Sequence, residues 1–240
     1  MNNQKILAII PVRGGSKTVP KKNIKLLGGK PLLYYILTAA LGSKLLSKVV
    51  VSSDDDEILS VAEEFGGKDV VLKRPKELAE DTTPDVPVLQ HAVREMEARE
   101  GVRYDSVVML HATTPFIRTE DIDASLKKLI ETNADSVVSV YRVTDAHPIK
   151  MKKIVDDVLL PYVDSMSEDS TVRRQDLPAV YRRNAGIYAS KRNIVMEDGK
   201  VWGKVVRPYL MSEERSVDIN TLLDFHVAEA VLEFLKSNQP

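Results

Sequence analysis

The residues best suited to do chemistry lie in the string Pro11-Val12-Arg13-Gly14-Gly15-Ser16-Lys17-Thr18-Val19-Pro20-Lys21-Lys22-Asn23, directly after an apolar run from Ile6 to Ile10. The glycines let backbone N–H groups approach an anion, and Arg13, Lys17, Lys21 and Lys22 place four positive charges in ten residues. A polyphosphate suits such a loop. Its spacing fits neither the phosphate loop that ends in Gly-Lys-Ser/Thr nor the G-x-G-x-x-G turn of dinucleotide sites. The alternative reading is a solvated basic turn. A second acidic cluster, Asp54-Asp55-Asp56, invites a metal reading but is explained more simply as three acids opening a helix, where they complement its dipole. Tyr34-Tyr35 reads as core or interface rather than as a base-stacking pair. Of the histidines, His91 and His226 fall in helical patterns, His147 shapes a proline turn, and His111 at a strand end can donate or accept.

The elements that must hold the loop follow from hydrophobic periodicity. Short, near-continuous apolar runs predict strands at Ile6 to Ile10, Lys48 to Ser52, Asp69 to Leu72, Ser106 to Leu110 and Asp135 to Tyr141. Such runs read as strands covered on both faces. Helical patterns alternate with them at Leu32 to Leu41, Asp55 to Phe65, Val86 to Arg99 and Thr119 to Thr132. The expected class is therefore α/β, a largely parallel sheet with helices on both faces. In such a sheet the loop leaving the carboxyl end of the first strand is a favoured ligand position. After Tyr141, Pro148, Pro161 and Pro178 punctuate short segments, predicting an inserted hairpin or arm over approximately residues 142–190. The chain is expected to return with a strand near Val201 to Val206, an acidic turn through Val217-Asp218-Ile219-Asn220, and an amphipathic helix from Thr221 to Leu235.

Composition bounds the rest. The 240 residues suffice for one full core, so a single domain over 1–240 is expected. No stretch approaches the ~18 apolar residues of a membrane span, and the start lacks a basic region and a cleavage site. With no cysteine there is no disulfide framework and no thiolate nucleophile, and a cytoplasmic setting is expected. The formal charge of −1 offers no global field for nucleic acid or an anionic membrane, so anion binding must be local.

The string Ile10 to Lys17 with Pro20-Lys21-Lys22-Asn23 resembles the signature of the acylneuraminate cytidylyltransferases, the CMP-sialic acid synthetases. The likeness continues through Arg74-Pro75, Glu77-Leu78-Ala79 and Asp81-Thr82, and then His111-Ala112-Thr113-Thr114-Pro115 with Arg118. It runs on through His147-Pro148-Ile149-Lys150, Arg174 to Pro178, Tyr181 to Asn184, Ile187-Tyr188 and Val217 to Asn220, in the family's order. It implies a Rossmann-like fold of the nucleotide-diphospho-sugar transferase type. It implies also a reaction in which an acidic 2-keto sugar, such as N-acetylneuraminic acid, attacks the α-phosphate of CTP to give a CMP-sugar and pyrophosphate.

The same resemblance implies roles for individual residues. Arg13, Lys17 and Lys21 would hold and polarise the triphosphate, with Gly14, Gly15 and Ser16 in the loop, and Lys21 is the leading single catalytic candidate, with Asp218 also in the catalytic set. Asn23, Arg74 and Thr83 would lie at the nucleotide. His111, which replaces a family glutamine, Thr113 and Asn184 would face the sugar. Lys150 and Arg174 would reach its carboxylate from the partner of a homodimer, for which arginine's planar fork is suited. Taken singly, Arg173, Arg174, Arg182 and Arg183 also read as solvated surface charges. Asp218 and Asn220 would hold Mg²⁺ or Mn²⁺, although the family has a second aspartate where Asn220 stands. Without that context Asp218 reads as a cap or turn residue, and Asp224 as a first-turn helix carboxylate. The family more often shows Asn-Gly-Ala where this chain has Asn184-Ala185-Gly186. Alternatives are activation of legionaminic or pseudaminic acid, another acidic acceptor such as an eight-carbon ulosonate or a phosphonate, or a nucleotide-binding homologue without turnover.

Overall fold

A computed structural model describes residues 4–15, 18–165, 173 and 176–238. Among these, the first strand is β1, Ile6–Pro11, followed by the two-residue strands β2, Leu26–Leu27, and β3, Lys30–Pro31. Then come α1 (Leu32–Leu41), β4 (Lys48–Ser53), α2 (Asp56–Gly66), β5 (Val71–Lys73), α3 (Asp85–Glu100), β6 (Ser106–Leu110), α4 (Thr119–Thr132) and β7 (Ser136–Arg142). The remainder is β8 (Lys152–Val155), β9 (Val158–Pro161), β10 (Tyr181–Lys191), α5 (Arg192–Met196), β11 (Val206–Met211) and α6 (Leu222–Ser237).

The strands β11-β7-β10-β6-β1-β4-β5 form a seven-stranded sheet in that order. All neighbours are parallel except β10, which runs antiparallel between β6 and β7. Alternation along β1 explains the layers. Ile6, Ala8 and Ile10 pack with Leu33, Leu37, Ile58, Ile122 and Leu126 of α1, α2 and α4, while Leu7 and Ile9 pack with Leu89, Val93 and Met96 of α3 on the other face. Period-two side-chain direction makes one strand serve both cores. A third cluster seats α6 through Phe225, Ala228 and Leu232 on Leu27, Leu32 and Phe116.

Helix entries are chemically specified. Asp55 caps α2 by accepting from the N–H groups of Glu57 and Ile58 at 2.8 and 3.1 Å. Thr221 and Asp224 form a reciprocal capping box at α6. Each such cap contributes about 1 kcal/mol. Asp55 thus takes the helix-opening role read for the acidic triplet.

Three boundaries differ from the sequence reading. The strand expected near Val201 to Val206 is β11, Val206–Met211. The N–H of Gly203 goes to Ser136 Oγ and those of Lys204 and Val205 to Asp135 Oδ2, so side chains replace the ladder there. Pro208 is tolerated because β11 is an edge strand. The strand expected at Asp69 to Leu72 begins only at Val71, since Lys68–Val70 form a 3-10 turn. The segment of approximately 142–190 also divides. β8 and β9 form a separate hairpin, whereas 181–191 lie inside the main sheet as β10. The charges of Arg182 and Arg183 masked that strand, because its first residues are exposed and only Asn184 onward enters the core.

Candidate functional site

The loops at the carboxyl ends of β1, β5 and β6 enclose a cavity of about 440 Å³ lined by Arg13, Lys22, Asn23, Arg74, Thr83, His111, Thr113 and Asn220, among others. Its floor is the turn after β1, which is held by bonds that could not be read from spacing. Arg74 is only 4% exposed and donates from Nη2 to Val12 O at 2.9 Å. Asn23 Nδ2 donates to Arg13 O at 3.2 Å, and the Gly14 N–H donates to Asp54 Oδ1 at 3.2 Å. The Gly14 N–H is thus engaged within the chain, and the position is also short of space. A Cβ there would collide with the Asp55 side chain, while one on Gly15 would meet nothing within 4 Å.

The consecutive lysines part company. Lys21 adopts φ 52°, ψ 33° at the entry to the 3-10 turn Lys22–Ile24. That left-handed residue sends its side chain to an ion pair with Glu57 of α2, which raises its pKa chiefly through the hydrogen bond. Lys22 instead lines the cavity and donates from Nζ to Ile219 O at 2.8 Å. Burial lowers its pKa, opposed by Asp218 and Asp224. The structure brings Lys22, not Lys21, to the cavity wall. Arg13 also lines the cavity and pairs with Asp81 on the loop before α3. Ser16, Lys17 and Arg174 lie outside the described residues.

A second cavity of about 450 Å³ adjoins the first, lined by Tyr141, Arg182, Arg183, Asn184, Asp218, Asn220 and Asp224, among others. Asn220 lines both. The joining turn is fixed from several sides. The Ile219 N–H donates to Thr113 O at 2.8 Å, Thr18 Oγ1 donates to Asn220 O at 2.5 Å, and Asn220 Nδ2 donates to Asp218 Oδ2 at 2.8 Å. Asp218 Oδ1 is buried without a hydrogen-bond partner. Asp224 is engaged as the α6 capping carboxylate, accepting from the N–H groups of Asn220 and Thr221 at 2.9 and 2.7 Å.

His111 lies at the end of β6 with its Nε2 buried and without a partner. Burial depresses its pKa, with Asp85 and Asp218 pulling the other way, so the ring is held neutral. Asn184 lines the second cavity, but its amide is engaged in the core. Oδ1 accepts from Ser139 Oγ at 2.6 Å and from the Gly186 N–H at 3.2 Å, and Nδ2 donates to Ser216 Oγ at 3.0 Å. Those bonds hold a bulge in β10 at which Ala185 has φ 56°, the position where the resembled family carries glycine. Lys150 ends a turn before β8 and lines neither cavity.

Sequence reasoning gave no individual site role to Lys22, Asp54, Asp81 or Asp85, although Lys22 stood among the loop cations and Asp81 within the resemblance. Lys22 was visible as a charge, but only the positive φ at Lys21 decides which lysine faces inward. Asp54 was absorbed in the helix-opening triplet, though one residue separates the cap from the loop anchor. For a divalent cation the donors present are the unpartnered Asp218 Oδ1 and the neighbouring Asn220. Among the described residues no cluster of three or more histidine or acidic side chains could hold a metal. One carboxylate still fits Mg²⁺, which is ordinarily held by one or two carboxylates with substrate phosphates and water.

Residues 7–228 match the model of a family described as cytidylyltransferase. The chain is 30% identical over 227 residues to post-translational flagellin modification protein B of Campylobacter coli, covering 95% of this chain and 94% of that one. It is also 30% identical over 234 residues to the CMP-N,N'-diacetyllegionaminic acid synthase of Legionella pneumophila, covering 95% and 97%. A solved CMP:2-keto-3-deoxy-manno-octonic acid synthetase in complex with CTP superposes with a TM-score of 0.71 at 17% identity, covering 97% of this chain and 100% of that one, which speaks to the fold. With a glycine-cation loop opening the sheet and a cavity at its carboxyl ends, the chain belongs to the cytidylyltransferase family.

Proposed function

We propose that this cytidylyltransferase activates a nonulosonic acid, an acidic nine-carbon 2-keto sugar, with CTP. The observation that carries the reading is the pair of adjoining cavities sharing Asn220, one walled by Arg13, Lys22 and Arg74, the other by Arg182, Arg183 and Tyr141. The first suits a triphosphate and the second an acidic polyol. The likeness to a legionaminic acid synthase over nearly the full length of both chains supports this acceptor class over an eight-carbon ulosonate, for which the support is fold alone.

In the reaction the anomeric hydroxyl oxygen forms a bond to the α-phosphorus and gives up its proton to solvent, the bond from that phosphorus to the bridging oxygen breaks, and pyrophosphate leaves. Such displacement is driven by positioning and by charge neutralisation, and it needs no protein nucleophile. Arg13 and Lys22 neutralise phosphate oxygens, Arg74 and Asn23 keep the loop backbone in place, and His111 and Thr113 line the first cavity. Lys17 belongs with the triphosphate cations and Thr83 with the nucleotide. Asp218 and Asn220 would hold Mg²⁺ or Mn²⁺, which supplies further charge neutralisation on the phosphates.

The β8–β9 hairpin is the dimerisation element in this reading. It and the residue after it expose Ile154 at 74%, Leu159 at 65% and Tyr162 at 65%, an apolar surface that the described residues do not cover. In a homodimer, Lys150 and Arg174 reach the neighbouring sugar cavity. A cytoplasmic setting agrees with the absence of cysteine. Among the described residues no helix is long and apolar enough to cross a membrane.

The test is pyrophosphate release with CTP and Mg²⁺ against N-acetylneuraminic, legionaminic, pseudaminic and eight-carbon ulosonic acids and 2-aminoethylphosphonate. Release with a nine-carbon acid is expected. Release only with the eight-carbon acid or the phosphonate, or silence across the panel while CTP still binds, overturns the acceptor assignment.

A further inference from the structure

The turn that joins the two cavities sits at the end of a longer restraint. Asp121, in the first turn of α4, is 2% exposed although charged. Its Oδ1 accepts from Tyr209 Oη of β11 at 2.9 Å, and its Oδ2 accepts from the Arg118 N–H at 2.9 Å and is paired with the guanidinium of Arg215. Arg215 is three residues before Asp218, its side chain only 19% exposed. Next to it, Ser216 Oγ accepts from Asn184 Nδ2 at 3.0 Å and donates to Ser212 O at 2.8 Å. The Ile219 bond to Thr113 O then closes the segment onto the end of β6.

The segment from 212 to 219 thus leaves edge strand β11 and crosses to the cavities with no regular structure of its own. Side-chain bonds of this kind, together with the Ile219 backbone bond, hold an irregular segment in place. A buried carboxylate costs much unless its partners satisfy it, and here Tyr209, the Arg118 N–H and Arg215 do so. Asp121 does not line the second cavity, whereas Asp218 does.

We infer that Asp121 is a positioning residue for the Asp218–Asn220 turn, acting through Arg215, so that the α4 N-terminus sets where the turn presents its oxygens to the joined cavities. The inference rests on the proposed reading for what the turn does. Its geometric basis, a buried carboxylate tied to a guanidinium on the same segment, stands apart from the acceptor's identity.

The test compares wild type with Asp121→Asn and, in case that variant does not fold, Arg215→Gln, at a temperature where circular dichroism shows each chain folded. Expected are a kcat about ten-fold lower, a KM for CTP within about two-fold, and a several-fold rise in the Mg²⁺ concentration for half-activation. Mn²⁺ binding in the presence of CTP, read by electron paramagnetic resonance, is expected to weaken by a similar factor. Arg215→Lys, which keeps the charge, is expected to recover part of both losses. Unchanged Mg²⁺ dependence and Mn²⁺ binding, with only a lower melting midpoint, would make Asp121 a stabilising residue and overturn the inference. If wild type is silent with every acceptor, the functional reading fails, and the Mn²⁺ comparison alone decides the positioning role.

Discussion

The floor of the nucleotide cavity and the β8–β9 hairpin place their cations and apolar groups under opposite constraints. At the cavity floor, Arg74 is buried and bonded to the Val12 carbonyl, Asn23 holds the Arg13 carbonyl, and Asp54 holds the Gly14 N–H. On the hairpin, Ile154, Val158 and Leu159 are all more than half exposed, and Lys150 at its base faces neither cavity. The first region is organised before any ligand arrives, so its side chains lose little freedom on binding. On the second, the apolar side chains stand exposed on a hairpin held by its own β8–β9 pairing. In the proposed reading, the cations that neutralise phosphate charge are organised within one chain, whereas the hairpin's apolar groups are organised against a partner.

The strongest way to break this contrast is at the two adjacent lysines. Lys22→Ala removes a half-buried cation from the cavity wall, and turnover is expected to fall on the order of a hundred-fold, the scale of losing one preorganised charge-stabilising donor. Lys21→Ala removes an exposed cation paired with Glu57, and a loss below about ten-fold is expected. Parallel kcat/KM measurements check this. The reverse ranking would mean that Lys21 leaves Glu57 for the triphosphate and that the cavity is reorganised by its ligand.

Next in size is the hairpin. Charges at Ile154→Glu and Leu159→Glu together should dissociate a homodimer while sparing the core, since neither side chain packs in it. Sedimentation should shift from dimer to monomer at micromolar concentration, and KM for the acidic sugar should rise about ten-fold with KM for CTP little changed. A wild type that is already monomeric would remove the partner role proposed for Lys150 and Arg174.

Much of this is legible in the sequence. The βα alternation through Tyr141 gave α1 and α4 with both ends placed, because their apolar periodicity is bounded by Pro31 and Gly42 and by Arg118 and Asn133. β10 was hidden because Arg182 and Arg183 open it and Ala185 bulges it, so neither alternation nor a continuous apolar run survives. β11 was misplaced because its edge position permits Pro208 and exposed side chains. At the site, residue types were readable but directions were not. Nothing in Lys21-Lys22 tells which lysine turns inward, and the Asn184 amide, expected to face the sugar, is claimed by Ser139, Gly186 and Ser216 in the core. Spacing reports which groups are near in sequence, whereas backbone handedness and long-range bonds decide where they point.

The smallest expected effect sharpens the contrast from within the organised region, at its one histidine. His111 is buried beside the cavity with Nε2 unpartnered; Asp85 and Asp218 favour its protonation, and Lys22 and burial oppose it. Burial dominates, so its folded-state pKa lies below the ordinary value of about 6.5. The unfolded chain then binds the proton more readily, and by linkage folding stability falls as pH drops below about 6.5 and levels off once pH passes the folded value. The slope cannot exceed about 1.4 kcal/mol per pH unit, which for a chain of this size is a few degrees in melting midpoint. His111→Gln removes the titrating group and keeps a polar side chain. The difference in midpoint, wild type minus variant, is therefore expected to be constant from pH 8 to about 7 and to shrink between about pH 6.5 and 5. A difference that stays constant to pH 5 would mean that the ring is solvated or paired in solution, and that this wall of the cavity is as open to reorganisation as the hairpin.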